Sequence, residues 1–215
     1  MSLKPQDICV LLKIVALDRS PWSYSQLAYE LGISASEVHA GVKRATDASL
    51  MRLEDGWGTP DPGALEELLV HGVKYVFAPV HGRLTRGMPT SLAAPPLNQG
   101  LPHPQEPPPV WPDTEGDVRG YEFSPLYKSV PYAARRDTKL YELLALVDAI
   151  RGGGQSEREI AVRELRVRLG IQLETPARAP PARKTRGSAN AAGQLNRGND
   201  GKEKRRIYRR GHRDT

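Results

Sequence analysis

The sequence predicts a mainly α fold with a small β wing, organised as an N-terminal helix-turn-helix unit, a proline-rich arm and a C-terminal helical hairpin. Three observations lead there. Two capping boxes, Ser23 to Gln26 and Ser34 to Glu37, stand eleven residues apart and bracket Gly32. Short strand-like runs flank one further capped helix downstream of them. After a proline-dense stretch, apolar residues return at helical period between residues 138 and 169.

Residues 5 to 18, PQDICVLLKIVALD, place Ile8, Leu11, Leu12 and Val15 at helical spacing, and Pro5 suits a first turn. A first helix with one buried stripe is expected, and RSPWS breaks it. In the box from Ser23 to Gln26, a hydroxyl and an amide satisfy N–H groups that a helix start leaves without partners, so a second helix begins there. Leu27, Ala28 and Leu31 are its apolar positions, and Gly32 supplies the left-handed residue that commonly ends a helix. The box from Ser34 to Glu37 opens a third helix at once. Trp22 with Leu27, and Ile33 with Val38, have the spacing of hydrophobic staples around the two starts.

Next, SLMRLEDGW predicts a short strand and turn, DPGALEELLVHG a helix capped by Asp61 with Pro62 at its first position, and VKYVFAPV another strand. This completes a unit over residues 1–80. Residues 81–119, with APPLNQGLPHPQEPPPVWPD at their centre, favour extended or polyproline backbone and predict an arm or linker. Residues 120–172 predict a helical hairpin. Leu140, Leu143, Leu144 and Val147 hold the period, Gly152 stops it, and Ser156 to Glu159 caps a second helix carrying Ile160, Val162, Leu165 and Leu169. About 50 residues bury too little surface alone, so the hairpin is expected to pack on the N-terminal unit or on a second chain. Residues 173–215 combine low hydrophobicity with Pro, Gly, Asn and basic residues, which predicts a disordered basic tail.

The formal charge of +6 invites a nucleic-acid partner, but its location matters. Beyond residue 175 there are twelve Lys and Arg against three Asp and Glu, which leaves 19 basic and 22 acidic residues before it. The part expected to fold is slightly acidic. The tail GKEKRRIYRRGHR has the composition of segments that bind nucleic acid without sequence preference. No run of about 18 apolar residues is present and MSLKPQDICV lacks the order of a signal peptide, so the expected compartment is the cytoplasm. The single cysteine, Cys9, agrees with that and reads as a small core residue.

At about 100° of rotation per residue, Val38, Val42 and Ala45 share one face of the third helix. Ser36, Ala40, Lys43 and Asp47 share the opposite face, flanked by His39 and Arg44. The presented side is small at Ser36 and Ala40, so a groove wall can approach closely, and the helix start offers N–H groups to a phosphate. Those are the requirements for entering a DNA major groove.

Ala28, Gly32 and Val38 stand at the spacing of the small residue, turn glycine and buried aliphatic of the helix-turn-helix motif. With a helix before and a strand after, residues 4 to 80 resemble the winged helix-turn-helix domains of prokaryotic transcription regulators, broadly of the multiple-antibiotic-resistance-regulator type. The segments HGVKYVF, TRGMPT, PVWPD and SPLYKSVP are similar to those of other bacterial proteins carrying this domain, without importing an activity. The resemblance implies a double-stranded DNA partner, with the second helix of the motif in the major groove. Ser34, Ser36, His39, Lys43 and Arg44 would then face DNA, with Ser23 and Ser25 near the backbone. Lys43 or Arg44 would read guanine or neutralise phosphate. The wing is either the acidic turn Glu54 to Gly56 or the later VHGRLTRG, where Arg83 and Arg86 make the second the better DNA contact. Glu37 and Asp47 repel phosphate, and the presented face has few long hydrogen-bonding side chains.

Other polar residues read more plainly. The histidines at 39, 71, 81, 103 and 212 have no metal-ligand spacing, and Ser23, Ser25 and Ser34 are caps rather than nucleophiles, so neither metal, cofactor nor enzyme chemistry is expected. RGGGQ at 151 to 155 lacks the Lys and Ser/Thr of a phosphate loop and reads as a helix stop. Trp111 is either an anchor packed on the body or an exposed aromatic for a partner; packing is favoured, since a 54-residue arm over 79–132 needs an anchor. Two unshared apolar helix faces near 140 to 169 suggest a homodimer and an inverted-repeat operator. The reading from another class is a protein-interaction adaptor or antitoxin that binds an adjacent enzyme through the proline-rich arm, with Trp111 in the interface.

Overall fold

The N-terminal helices form where their caps place them. In a computed structural model that describes residues 2–54, 57–99 and 107–172, α1 spans Pro5–Ala16, α2 Tyr24–Leu31 and α3 Ala35–Asp47. The Ser23 hydroxyl accepts from the Gln26 N–H at 3.1 Å, whereas the Gln26 amide turns to Glu30 rather than back to Ser23, so the first box is half closed. The second closes fully: Ser34 Oγ accepts from Glu37 N–H, and Glu37 Oε2 accepts from Ser34 N–H at 3.1 Å.

Gly32 ends α2 in the left-handed region, at φ 65° and ψ 37°. A β-carbon there would lie 2.8 Å from a ring carbon of Tyr132, so both the backbone and the neighbour demand glycine. Gly32→Ala is expected to cost about 1–2 kcal/mol from the backbone alone, with a further loss from the Tyr132 clash. Gly170→Ala is the control, because Gly170 has φ 71° with no atom near its missing β-carbon. Thermal melts of both variants check this: equal losses would remove Tyr132 from the account.

After α3, β1 Met51–Glu54 and β2 Trp57–Pro60 pair antiparallel from Met51↔Pro60 to Glu54↔Trp57. Asp55 and Gly56, at the tip of the expected acidic wing, lie outside the described residues. Asp61 caps the next helix as expected, accepting from Ala64 N–H at 3.0 Å. That helix runs on as α4 Pro62–Glu67, a π turn Leu68–Gly72 and α5 Val73–Val76. The strand expected at VKYVFAPV is therefore helical up to Val76. Leu65, Leu69 and Val73, four residues apart, are all fully buried, and this stripe overrides the local β propensity of the valines.

The expected arm is also folded. β3 His81–Pro89, β4 Pro109–Pro112 and β5 Val118–Phe123 close on one another, with β3 antiparallel to both others and β4 parallel to β5. Glycines permit this tightness. A β-carbon on Gly87 would meet the Trp111 carbonyl at 2.0 Å, and one on Gly120 the Pro108 carbonyl at 2.1 Å. The prolines within these strands lie at strand ends: Pro89 closes β3, and Pro109 and Pro112 bound the short β4.

The C-terminal part contains α6 Val130–Arg136, α7 Thr138–Gly152 and α8 Gln155–Arg168. The expected box from Ser156 to Glu159 is displaced by two residues, since Glu157 accepts from Gly154 N–H at 2.8 Å. Leu140, Leu143, Leu144, Ala145, Leu146, Val147, Ala149 and Ile150 are all buried, so α7 is enclosed around its whole circumference and apolar except at Asp148 and Arg151. It packs against α1, α5, α6 and α8. The α7 face from which a dimer was expected is thus covered within the chain; on α8 Leu165 and Leu169 are buried, Ile160 and Val162 are half-buried and Val167 is exposed. α1 is also buried beyond one stripe, at Ile8, Cys9, Val10, Leu11, Leu12 and Ile14, because α3 and α7 both contact it. Burial pushes the Cys9 thiol up to about 12, so it stays protonated and unreactive at neutral pH.

Polar groups on α7 fasten the small barrel to it. Asp148 accepts from Trp111 Nε1 at 2.6 Å, Thr90 Oγ1 at 2.8 Å and Arg151 Nη1 at 2.6 Å. Arg151 also donates to the carbonyls of Phe77 and Ser124, and Tyr141 donates to that of Pro89 at 2.7 Å. Residues Met1–Thr175 consequently form one compact unit rather than three separate segments. The tail at 173–215 lies outside the described residues. Among the described residues, no helix is long and apolar enough to cross a membrane.

Candidate nucleic-acid interface

α3 is amphipathic in the sense its sequence requires: Val38, Val42 and Ala45 are buried, while Ser36, His39, Lys43 and Asp47 are exposed and Ala40 is half-buried. Ser34 Oγ and Ser36 Oγ lie 3.0 Å apart at the start of this face, and the His39 ring packs on Tyr24 with centroids 5.2 Å apart. Ser23 and Ser25 are exposed at the start of α2, Ser23 acting as cap.

Arg44 departs from the expectation. Its Nε and Nη2 donate to the two carboxylate oxygens of Asp7 at 2.7 and 2.6 Å, and both side chains are buried. Asp7 holds the Arg44 guanidinium even more firmly protonated than usual. Arg44 therefore belongs to the α1–α3 core and is absent from the exposed face of α3. Gly41 makes the room, since a β-carbon there would crowd the Asp7 carboxylate at 3.0 Å. A charged residue within the apolar run DICVLL was the only sequence signal for this pair.

The α3 N-terminus is also occupied. Glu37 accepts from Ser34 and, at Oε1, from the Tyr127 hydroxyl at 3.0 Å. These donors, the Ser34 N–H foremost, hold the Glu37 carboxyl below its usual range, and the hydrogen bond to Glu37 pushes the Tyr127 phenol up. The free N–H groups offered to a phosphate are thus reduced by an internal carboxylate. Tyr127, Lys128 and Tyr132 were missed as neighbours of the helix pair because about 90 to 100 residues separate them from it. Tyr132 donates to the Tyr29 carbonyl at 3.3 Å, and the Arg136 guanidinium stacks 3.7 Å from its ring centroid.

Arg83 and Arg86 are exposed on β3, in a strand rather than at the tip of a turn. Trp111 is fully buried on Asp148 and Tyr141, so it is the anchor of the barrel and not an aromatic left for a partner. Comparison of the chain with known protein families, with curated proteins and with solved structures finds no match. Among the described residues, no group of His, Cys, Asp and Glu is placed to hold a metal ion.

Proposed function

We propose that the protein is a sequence-specific transcription regulator that binds double-stranded DNA by laying α3 in the major groove, with the β1–β2 hairpin as the wing of a winged helix-turn-helix. The observation that carries this reading is the uncovered outer face of α3. Although α1, α2 and β1 pack around that helix, Ser36, His39 and Lys43 remain exposed and Ala40 keeps the surface low. Ser36 and His39 are short hydrogen-bonding groups for base edges or phosphates, and Lys43 is the cation of the face. With Arg44 turned inward, affinity drawn from this helix is modest, and specificity rests on Ser36, His39 and Lys43. Because the apolar surface of α7 is buried within one chain, that helix offers no dimer face, and binding as a single copy to one half-site is the expected mode.

Selection of bound sequences from a random duplex pool, followed by anisotropy titration over a salt series, tests this. Lys43→Ala is expected to weaken binding to the selected site about tenfold and to lower the salt slope by about one, while the melting temperature stays unchanged. A pool that enriches no motif, or a Lys43→Ala variant with unaltered affinity, would remove α3 as the reader.

A further inference from the structure

The outer face of the barrel carries a charge arrangement that the fold itself does not use. In the β3–β5 register Arg86 stands directly opposite Arg119, and Leu84 stands opposite Tyr121. All four side chains are exposed, Leu84 by 38% and Tyr121 by 53%. Like charges facing each other across antiparallel strands destabilise a sheet. Yet among the described residues neither arginine forms an ion pair with a carboxylate. Arg86 is instead tethered through Nε to the Gly116 carbonyl, which fixes its direction and leaves both terminal nitrogens available. Gly87, Gly116 and Gly120 pack backbone against backbone beneath this face, so the platform that holds the pair has little room to move.

We infer that this face is a site for single-stranded nucleic acid, in which Arg86 and Arg119 share a phosphate and a base stacks on Tyr121 beside Leu84. The arginine pair supplies the charge complementarity: two guanidiniums without an ion-pair partner among the described residues gain from one anion placed between them. The aromatic pair supplies the rest. Residues two apart on a strand lie about 7 Å from each other on the same face, so a base on Tyr121 keeps its own phosphate within reach of the arginines. A flat aromatic with flanking arginines accepts any base, because every base has a π face. A duplex hides its base faces and would use only the charges. This inference is independent of the duplex reading of α3.

Anisotropy titration of the full-length protein with a labelled twelve-nucleotide oligothymidine, and with the same length in duplex form, tests it. Tyr121→Ala is expected to weaken oligothymidine binding about tenfold, Tyr121→Phe to leave it unchanged and Arg119→Gln to weaken it several-fold. Lys139→Gln, which removes one exposed charge elsewhere, is expected to leave it unchanged. The inference is overturned if oligothymidine does not bind. It is equally overturned if Tyr121→Ala has no effect, since attraction would then be general. A loss of duplex binding alone in Arg119→Gln would overturn it too, by making the pair a duplex backbone contact.

Discussion

Asp148→Ala is expected to destabilise the protein by about 3–5 kcal/mol, the range for breaking a buried ion pair from one side. Asp148 is 1% exposed and is the common acceptor of Arg151, Trp111 and Thr90. Burial pushes its carboxyl above the ordinary range, and Arg151 with the Thr90 and Trp111 donors draws it back. Removing it leaves a buried guanidinium with only the Phe77 and Ser124 carbonyls, and two buried donors without an acceptor. Trp111→Phe removes one donor and part of a fully buried indole, so the lost hydrogen bond and the cavity together should cost about 2–4 kcal/mol. Urea unfolding followed by far-ultraviolet circular dichroism measures both, and a loss below about 1 kcal/mol for Asp148→Ala would show that the network is not what fastens the barrel.

Arg44→Ala is expected to cost about 3 kcal/mol, the lower end of the same range because the guanidinium keeps slight contact with solvent. Asp7 would be left fully buried with the Lys4 N–H, at 2.8 Å, as its remaining donor. For a unit of this size the melting temperature should fall by about 6–12 °C. The pairing with Lys43→Ala is decisive. These neighbouring cations should separate, one changing stability without contacting DNA and the other changing DNA affinity without changing stability. If Arg44→Ala melts like the parent protein and loses DNA binding, its side chain faces the nucleic acid and the inward pair is wrong.

Much of α1 to α3 was legible because caps act locally. Ser23, Gly32, Ser34 and Glu37 each meet a partner within a few residues, so spacing alone placed three helices and their turn. Asp61 placed the fourth for the same reason. Where the outcome depended on distant partners, local pattern misled. The valines at 73 and 76 have β propensity, yet burial of Leu65, Leu69 and Val73 on one stripe made the segment helical. Proline density between residues 79 and 132 suggested an arm, yet Trp111 and Thr90 found Asp148 some 37 and 58 residues away and drew the strands onto α7. The exposed outer face of α3 was legible at Ser36, His39 and Lys43, whose exposure follows from helical rotation. Arg44 was not, because its partner lies on another helix.

The sequence by itself determined the helix starts, the αL turn at Gly32, the buried stripe of α3 and the placement of positive charge beyond residue 175. All are set by contacts within one or two turns or by composition. Only the tertiary structure decided that Arg44 is structural, that Trp111 is an internal anchor, that α7 has no face left over, and that Arg86 and Arg119 confront each other across two strands. Each depends on which residues are brought together over tens of positions, and neither periodicity nor capping carries that information. Burial then sets the outcome, since a charge or a ring taken out of water must find its partner inside the same core.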